Sequence, residues 1–249
     1  ATNSEGTAYG NEVQFTTLAG TTTFACGDQI SDYDSNTYNT IQIGTQCWMK
    51  EDMKVTHYVN GTAIPIITNN TTWANLGDNN TSKAMTYYNN NSNSDYGALY
   101  TWATVMNGTS SSNSTPSGVQ GVCSTGWHVP SDNEWKALEI YLGMTPSEAD
   151  QTGWRGGLLG GKLKETGYSH WMSPNTMATN TSDFTALPGG YRNGLNGFFA
   201  SQTVNGFWWT ATQGSVTYGY YRTLKHNGAA IARDNYKKSQ GYSVRCVMD

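Results

Sequence analysis

Four cysteines, four histidines and one D-x-D-x-N run hold most of the chemistry this sequence offers. The cysteines are Cys26, Cys47, Cys123 and Cys246. Their even number and the lack of any C-x-x-C pair favour disulfides over a zinc site. Three connectivities are open. The two early cysteines can close a loop of their own, and Cys123 with Cys246 can tie the middle of the chain to its end, so 26–47 with 123–246 is the pairing expected. Two bridges imply an oxidising compartment. His57, His128, His170 and His226 lie beside no nucleophile motif such as G-x-S-x-G and in no H-x-x-x-H or facial-triad spacing. His128, between Trp127 and Val129-Pro130, reads as a structural imidazole satisfied by its neighbours. Asp32, Asp34 and Asn36 match the first three ligand positions of a calcium loop, but Thr37 stands where such a loop needs glycine and Ile43 where it needs a bidentate glutamate. Asp and Asn at this density also build turns, and the turn is the reading adopted. The expectation is no catalytic residue, no metal site and no cofactor.

The elements that must position these residues leave clear marks. Ser131 and Glu134 stand in S-x-x-E spacing, the signature of a helix N-terminus. Trp135, Leu138 and Leu142 then share one helical face, and Gly143 is placed to end the helix. Thr145 and Glu148, with Pro146 at the first helical position, start a second, short helix. Leu99, Trp102, Ala103 and Met106 fall at i, i+3, i+4 and i+7, which predicts an amphipathic helix over 96–106, ended by Asn107-Gly108. Residues 66–95, rich in Asn and Thr, read as a long loop. Strands are expected around Tyr38–Ile43, 187–192, 207–210, 220–224 and 242–246, with Cys47-Trp48-Met49 buried. Trp208-Trp209 and Tyr220-Tyr221 are adjacent along strands, so one of each pair is free to point outward and stack on sugar. The competing reading makes most of them core, and no sugar site is assigned. Asn60, Asn70, Asn107 and Asn180 open N-x-[ST] triplets, matches that this composition produces by chance.

Composition excludes several classes of function. Of 249 residues, 37% are hydrophobic and 12% aromatic, so the core takes its buried area from few, large side chains. Charged residues reach only 13%, about half the usual soluble share of roughly 25%. A surface of Asn, Thr, Ser and Gly is common in secreted β-rich proteins. Net charge is −4, and Lys237-Lys238 is the only adjacent basic pair, so no basic stripe is present to neutralise phosphates and no nucleic-acid partner is expected. No apolar run nears the ~20 residues of a bilayer span. The chain opens at Ala1 with neither Met nor signal peptide, the look of a processed product.

The runs YNTIQIGTQCWMKEDMKV, YGALYTWATVMNG, GWHVPSDNEWKAL, GGKLKE, TSDFTALPGGYRN, FWWTAT and GYSVRCV, in this order from about residue 26 to the C-terminus, resemble the Fibrobacter succinogenes major paralogous domain. That resemblance implies a secreted, often lipid-anchored or modular bacterial surface protein. It also implies an α+β, C-type-lectin-like fold, with two main helices beside irregular antiparallel sheets, which formylglycine-generating enzymes share. Those enzymes use a reactive cysteine pair late in the chain, and only Cys246 is late here. The E-P-N, Q-P-D and W-N-D motifs of calcium-dependent lectins do not occur. Residues 1–20 resemble the last strand of a fibronectin type III domain, with Tyr9, Val13 and Phe15 on one apolar face. A lone strand is unstable in water. It must add to its own domain at 21–249 or be donated to a neighbouring copy by β-augmentation. The expected protein is a non-enzymatic, extracellular, structural or adhesive molecule that assembles with copies of itself into filaments through residues 8–18. The alternative is a polysaccharide-binding module with glycans as partners.

Overall fold

The computed structural model describes residues 24–93 and 95–249, together with the backbone of residues 2–3 and 6–7. Tyr9, Val13 and Phe15, and with them the expected assembly strand, lie outside the described residues. The described chain is a mixed α+β structure. Its two four-stranded antiparallel sheets use β1 (Thr40–Ile43), β2 (Gln46–Met49), β3 (Trp127–His128), β4 (Gly153–Arg155), β5 (Asn205–Gln213), β6 (Tyr218–Lys225), β7 (Ile231–Lys237) and β8 (Val247–Met248). The smaller sheet has the order β1-β2-β8-β3 and the larger β4-β7-β6-β5. Five short helices, α1 (Asn70–Ala74), α2 (Trp102–Met106), α3 (Asp132–Tyr141), α4 (Pro146–Ala149) and α5 (Leu159–Leu163), fill the connections.

Local chemistry sets the ends of α3. The Ser131 side chain accepts from the Glu134 amide, and Glu134 accepts in return from the Ser131 amide at 2.8 Å. Two amides with no partner inside the helix are thereby satisfied. Trp135 and Leu138 are buried, and Gly143, at φ +112°, turns the chain beyond the last turn. Thr145 caps α4 in the same way, with Pro146 in its first turn.

The backbone departs from the sequence reading in three places. Residues 96–106 are not one helix. Leu99–Tyr100 is extended and pairs with Met85–Thr86, and only Trp102–Met106 is helical. Every residue from Gly97 to Met106 is buried, so the apolar spacing reflects general burial and not one helical face. Residues 66–95 are more than a loop. Asn69 caps α1, whose Trp73 is buried and donates its indole N–H to Ser239 O. The expected strand at 242–246 is reduced to single bridges at Tyr242 and Ser243, with the ladder forming one step later at Val247–Met248.

The larger sheet is buried on both faces, and this decides where its aromatics go. Trp208 points to α3, where it meets Trp135 at 6.4 Å between ring centroids, and Trp135 meets Trp48 at 5.0 Å. Trp209 points the other way, against Tyr242 at 4.5 Å. Neither Trp is outward: their exposures are 1% and 0%. Tyr220 lies under the Arg233 guanidinium. The disulfides are Cys26–Cys47 and Cys123–Cys246, and no cysteine is free among the described residues. Two disulfides suit an oxidising, extracellular setting. No helix among the described residues is long and apolar enough to cross a membrane.

Candidate functional site

Each histidine is held by a neighbour. His128 is buried between Glu134, 2.7 Å from Nε2, and Asp249, 2.7 Å from Nδ1. His57 meets Asp34 at 2.6 Å and His170 meets Glu165 at 2.9 Å, while His226 donates to Ser173 O at 3.0 Å. One hydroxyl joins these contacts: Thr56 Oγ1 lies 3.1 Å from His57 Nδ1 and donates to Asp34 Oδ2 at 2.8 Å, so its proton goes to the carboxylate and not to the imidazole. The D-x-D-x-N run is a turn. Asp32 Oδ1 accepts from the amides of Asp34 and Asn36, both at 2.9 Å, and Asp32 Oδ2 accepts from the Tyr38 hydroxyl at 2.7 Å. The carboxylate is thus occupied by its own loop. Among the described residues no group of three or more His, Cys, Asp or Glu side chains is placed to share a metal ion.

The side chains best placed for a ligand lie on the face of the larger sheet opposite α3. Register puts Phe207 opposite Thr223, Trp209 opposite Tyr221, and Tyr221 opposite Asp234. With side chains alternating along each strand, Phe207, Trp209, Tyr221, Asp234 and Tyr236 share this face. Tyr242 joins them from the segment bridged alongside β5, and Tyr191 from the Tyr191–Arg192 strand that pairs with Phe199–Ala200. The rings lock together. Phe207 stacks on Tyr242 at 5.0 Å and 12°, Tyr191 meets Phe207 edge-on at 5.2 Å, and Tyr221 lies 5.1 Å from Tyr242.

These rings line a pocket of about 210 Å³, with Asn193 and Gln240 completing its wall and Tyr236, 40% exposed, at its rim. Its lining carries no Lys, Arg, His, Asp or Glu. The Tyr221 and Tyr242 phenols stay neutral at physiological pH. Burial, then the charge of Asp234 and the neighbouring Tyr236, pushes Tyr221 up to about 12. Burial holds Tyr242 well above the usual tyrosine value. One polar group is left over: Gln240 is 1% exposed, and its Nε2 has no hydrogen-bond partner among the described residues. A buried donor without an acceptor is rare in folded proteins and marks a place where something else can supply one.

Two larger clefts have different walls. One, of about 400 Å³, is lined by Lys50, Lys54, Glu51, Asp95 and Glu165 among others, and the second, of about 420 Å³, lies beside Glu134 and Asp249. Most of their carboxylates are already engaged: Glu51 by the amide and side chain of Asn39, Glu165 and Asp95 by His170, and Glu134 and Asp249 by His128. Asp52, in the first cleft, is tied through Oδ1 to Trp208 and Arg245, and its buried Oδ2 has no hydrogen-bond partner among the described residues. Aromatic faces beside an unpaired amide single out the tyrosine pocket, although it is the smaller. Of its members, sequence reasoning named Phe207, Tyr221, Tyr242 and Tyr191 as strand residues. It missed Asn193, Tyr236 and Gln240. β7 went unread because Ile-Ala-Arg-Asp-Asn-Tyr-Lys mixes buried charge into what would otherwise alternate. Gln240 carries no local signal at all.

The family model described as the Fibrobacter succinogenes major domain matches residues 41–248. The match spans both sheets, all five helices and every residue of the tyrosine pocket. No curated protein and no solved structure matches the chain. This chain belongs to the Fibrobacter succinogenes major domain family.

Proposed function

We propose that this chain is a non-enzymatic, adhesive module of the cell exterior that binds polysaccharide in the tyrosine pocket. One observation carries the reading: an uncharged, aromatic-walled pocket whose lining includes Gln240, a buried amide with no hydrogen-bond partner for its N–H among the described residues. Aromatic faces accept the C–H face of a sugar ring, while side-chain amides fix the orientation of its hydroxyls. Electrophoresis through native gels containing soluble polysaccharides tests this directly. At least one polysaccharide should retard the protein, and Tyr236→Ala, at the exposed rim, should restore most of the mobility. If no polysaccharide in a broad panel retards the protein, the reading is wrong.

A second reading is self-assembly through the leading segment, favoured by the alternation of Tyr9, Val13 and Phe15 with polar residues. Strand donation to a neighbouring copy would give filaments held by backbone hydrogen bonds. Removing residues 1–18 should then leave a folded monomer by light scattering. Polymers formed by the truncated protein would exclude it.

A further inference from the structure

We infer that the pocket takes an uncharged hexopyranose chain, one ring lying against the tyrosines with a hydroxyl oxygen accepting the free N–H of Gln240. This rests on the polysaccharide reading and narrows it to a chemical class. Three observations point the same way.

The pocket wall offers amides and phenols but no cation. A uronate or sialate ring would bring a carboxylate into a site with no Lys or Arg to pair it, and burying an unpaired charge is strongly unfavourable. The ionised group that strand register places beside Tyr221 has the wrong sign for such a ligand. Asp234 is the cross-strand partner of Tyr221, is exposed, and makes no ion pair among the described residues. Its carboxylate sits beside the pocket and repels an approaching anion, in a chain whose net charge is already −4. Finally, the unpaired group is a donor. A sugar hydroxyl accepts from it and can donate in turn to the Asn193 side chain, whereas a purely apolar ligand would leave Gln240 as unsatisfied as before. The same features weigh against a proline-rich peptide. Such a peptide docks on aromatic grooves and offers backbone carbonyls, but it has no hydroxyls to answer a pair of amides.

Calorimetric titration of the whole chain separates these classes. The neutral probes are cellohexaose, mannohexaose and laminarihexaose; the acidic ones are polygalacturonate and hyaluronan oligomers; decaproline stands for the peptide class. All are run at low ionic strength, where Asp234 acts most strongly. At least one neutral hexasaccharide should bind saturably, with every acidic probe about tenfold weaker or worse. Gln240→Met keeps length and removes the donor. It should weaken the neutral ligand by about tenfold, the size of one lost hydrogen bond. Gln240 is buried, so an exposed variant provides a second arm. Asp234→Lys should raise affinity for polygalacturonate several-fold relative to the neutral ligand. Preferential binding of the acidic probes, or of decaproline, overturns the neutral-sugar inference; the acidic result leaves the polysaccharide reading standing. Failure of every saccharide to bind removes both. Neutral binding that ignores Gln240→Met and Tyr236→Ala alike shows that the pocket is not the site.

Discussion

Asp132 opens α3 with its carboxylate sealed from water, and it receives Arg222 Nη1 at 2.7 Å and Arg233 Nη2 and Nε, both at 2.8 Å. Glu139, two turns on, takes Arg222 Nε at 2.6 Å and Arg155 Nη2 at 2.5 Å. Burial alone would raise the Asp132 carboxyl, but the two guanidiniums outweigh it and hold the group far below the usual carboxylate range. Such a cluster favours one arrangement of α3 on the sheet more than it adds net stability, and losing one partner leaves a buried charge uncompensated. Asp132→Ala should therefore cost about 3–5 kcal/mol at pH 7 by urea denaturation. The pH dependence has a definite sign. As pH falls, the unfolded chain takes up the Asp132 proton near its ordinary value of about 3.9, while the folded chain resists to lower pH. This contribution is complete above about pH 4 and is lost as pH falls through the depressed folded value. The variant's stability should change less between pH 4 and pH 2 than that of the parent, and equal slopes would exclude Asp132 as the group responsible. None of this is legible locally. Ser131 and Glu134 announce a helix cap, but the arginines that need Asp132 lie 90 and 101 residues further on. Gln240 is hidden for the same reason, since an unpaired donor is defined only by what folding fails to bring to it.

Helix α3 was readable because capping is chemistry between residues three apart. Helix α5 was not, because Gly160 and Gly161 argue against any helix by propensity. The structure supplies their reason. A Cβ at Gly160 would lie 2.4 Å from Ala230 O, and one at Gly161 2.1 Å from Met177 O, so the helix backbone packs directly on neighbouring backbone. Alanine is the better helix former by roughly 1 kcal/mol, yet Gly161→Ala should destabilise by about 1–3 kcal/mol, because a carbonyl cannot yield as a flexible side chain can. A neutral or stabilising result in thermal melts would mean that α5 can move off its neighbour. The N-terminal end of α3 is also tied to β3, through His128 and Glu134. His128 has a carboxylate at each ring nitrogen, so both nitrogens donate and the ring is held as an imidazolium. Desolvation acts to lower its pKa, but the hydrogen bonds and charges of Glu134 and Asp249 outweigh it, and the value is raised. The sign is opposite to that of Asp132. His128 contributes fully below its ordinary value of about 6.5, and the contribution fades as pH rises through the higher folded value. The melting temperature should fall as pH climbs above about 6.5, and His128→Gln should flatten that part of the curve.

At the scale of the whole molecule, the chain's end is the middle of a sheet: β8 lies between β2 and β3. Val247 pairs with both Trp48 and His128, so the smaller sheet cannot close without residues 247–248. The sequence permitted a confident count of four cysteines and a preferred pairing. It gave no hint that Cys246 leads into a central strand, because a two-residue ladder has no periodicity to detect. The two bridges attach at the two central strands of this sheet. Cys47 is in β2 and is tied back over 21 residues; Cys246 adjoins β8 and is tied back over 123. Loop-closure entropy grows with the logarithm of the loop, giving about 3.3 kcal/mol for the short bridge and about 4.9 kcal/mol for the long one. The long bridge also ties down a central strand of the sheet, so the paired variant Cys123→Ala/Cys246→Ala should lose more stability than Cys26→Ala/Cys47→Ala. Guanidinium denaturation of the two variants decides it. If the short-loop variant is the weaker, then order within the β1–β2 hairpin, and not capture of the C-terminal strand, limits the stability of the sheet.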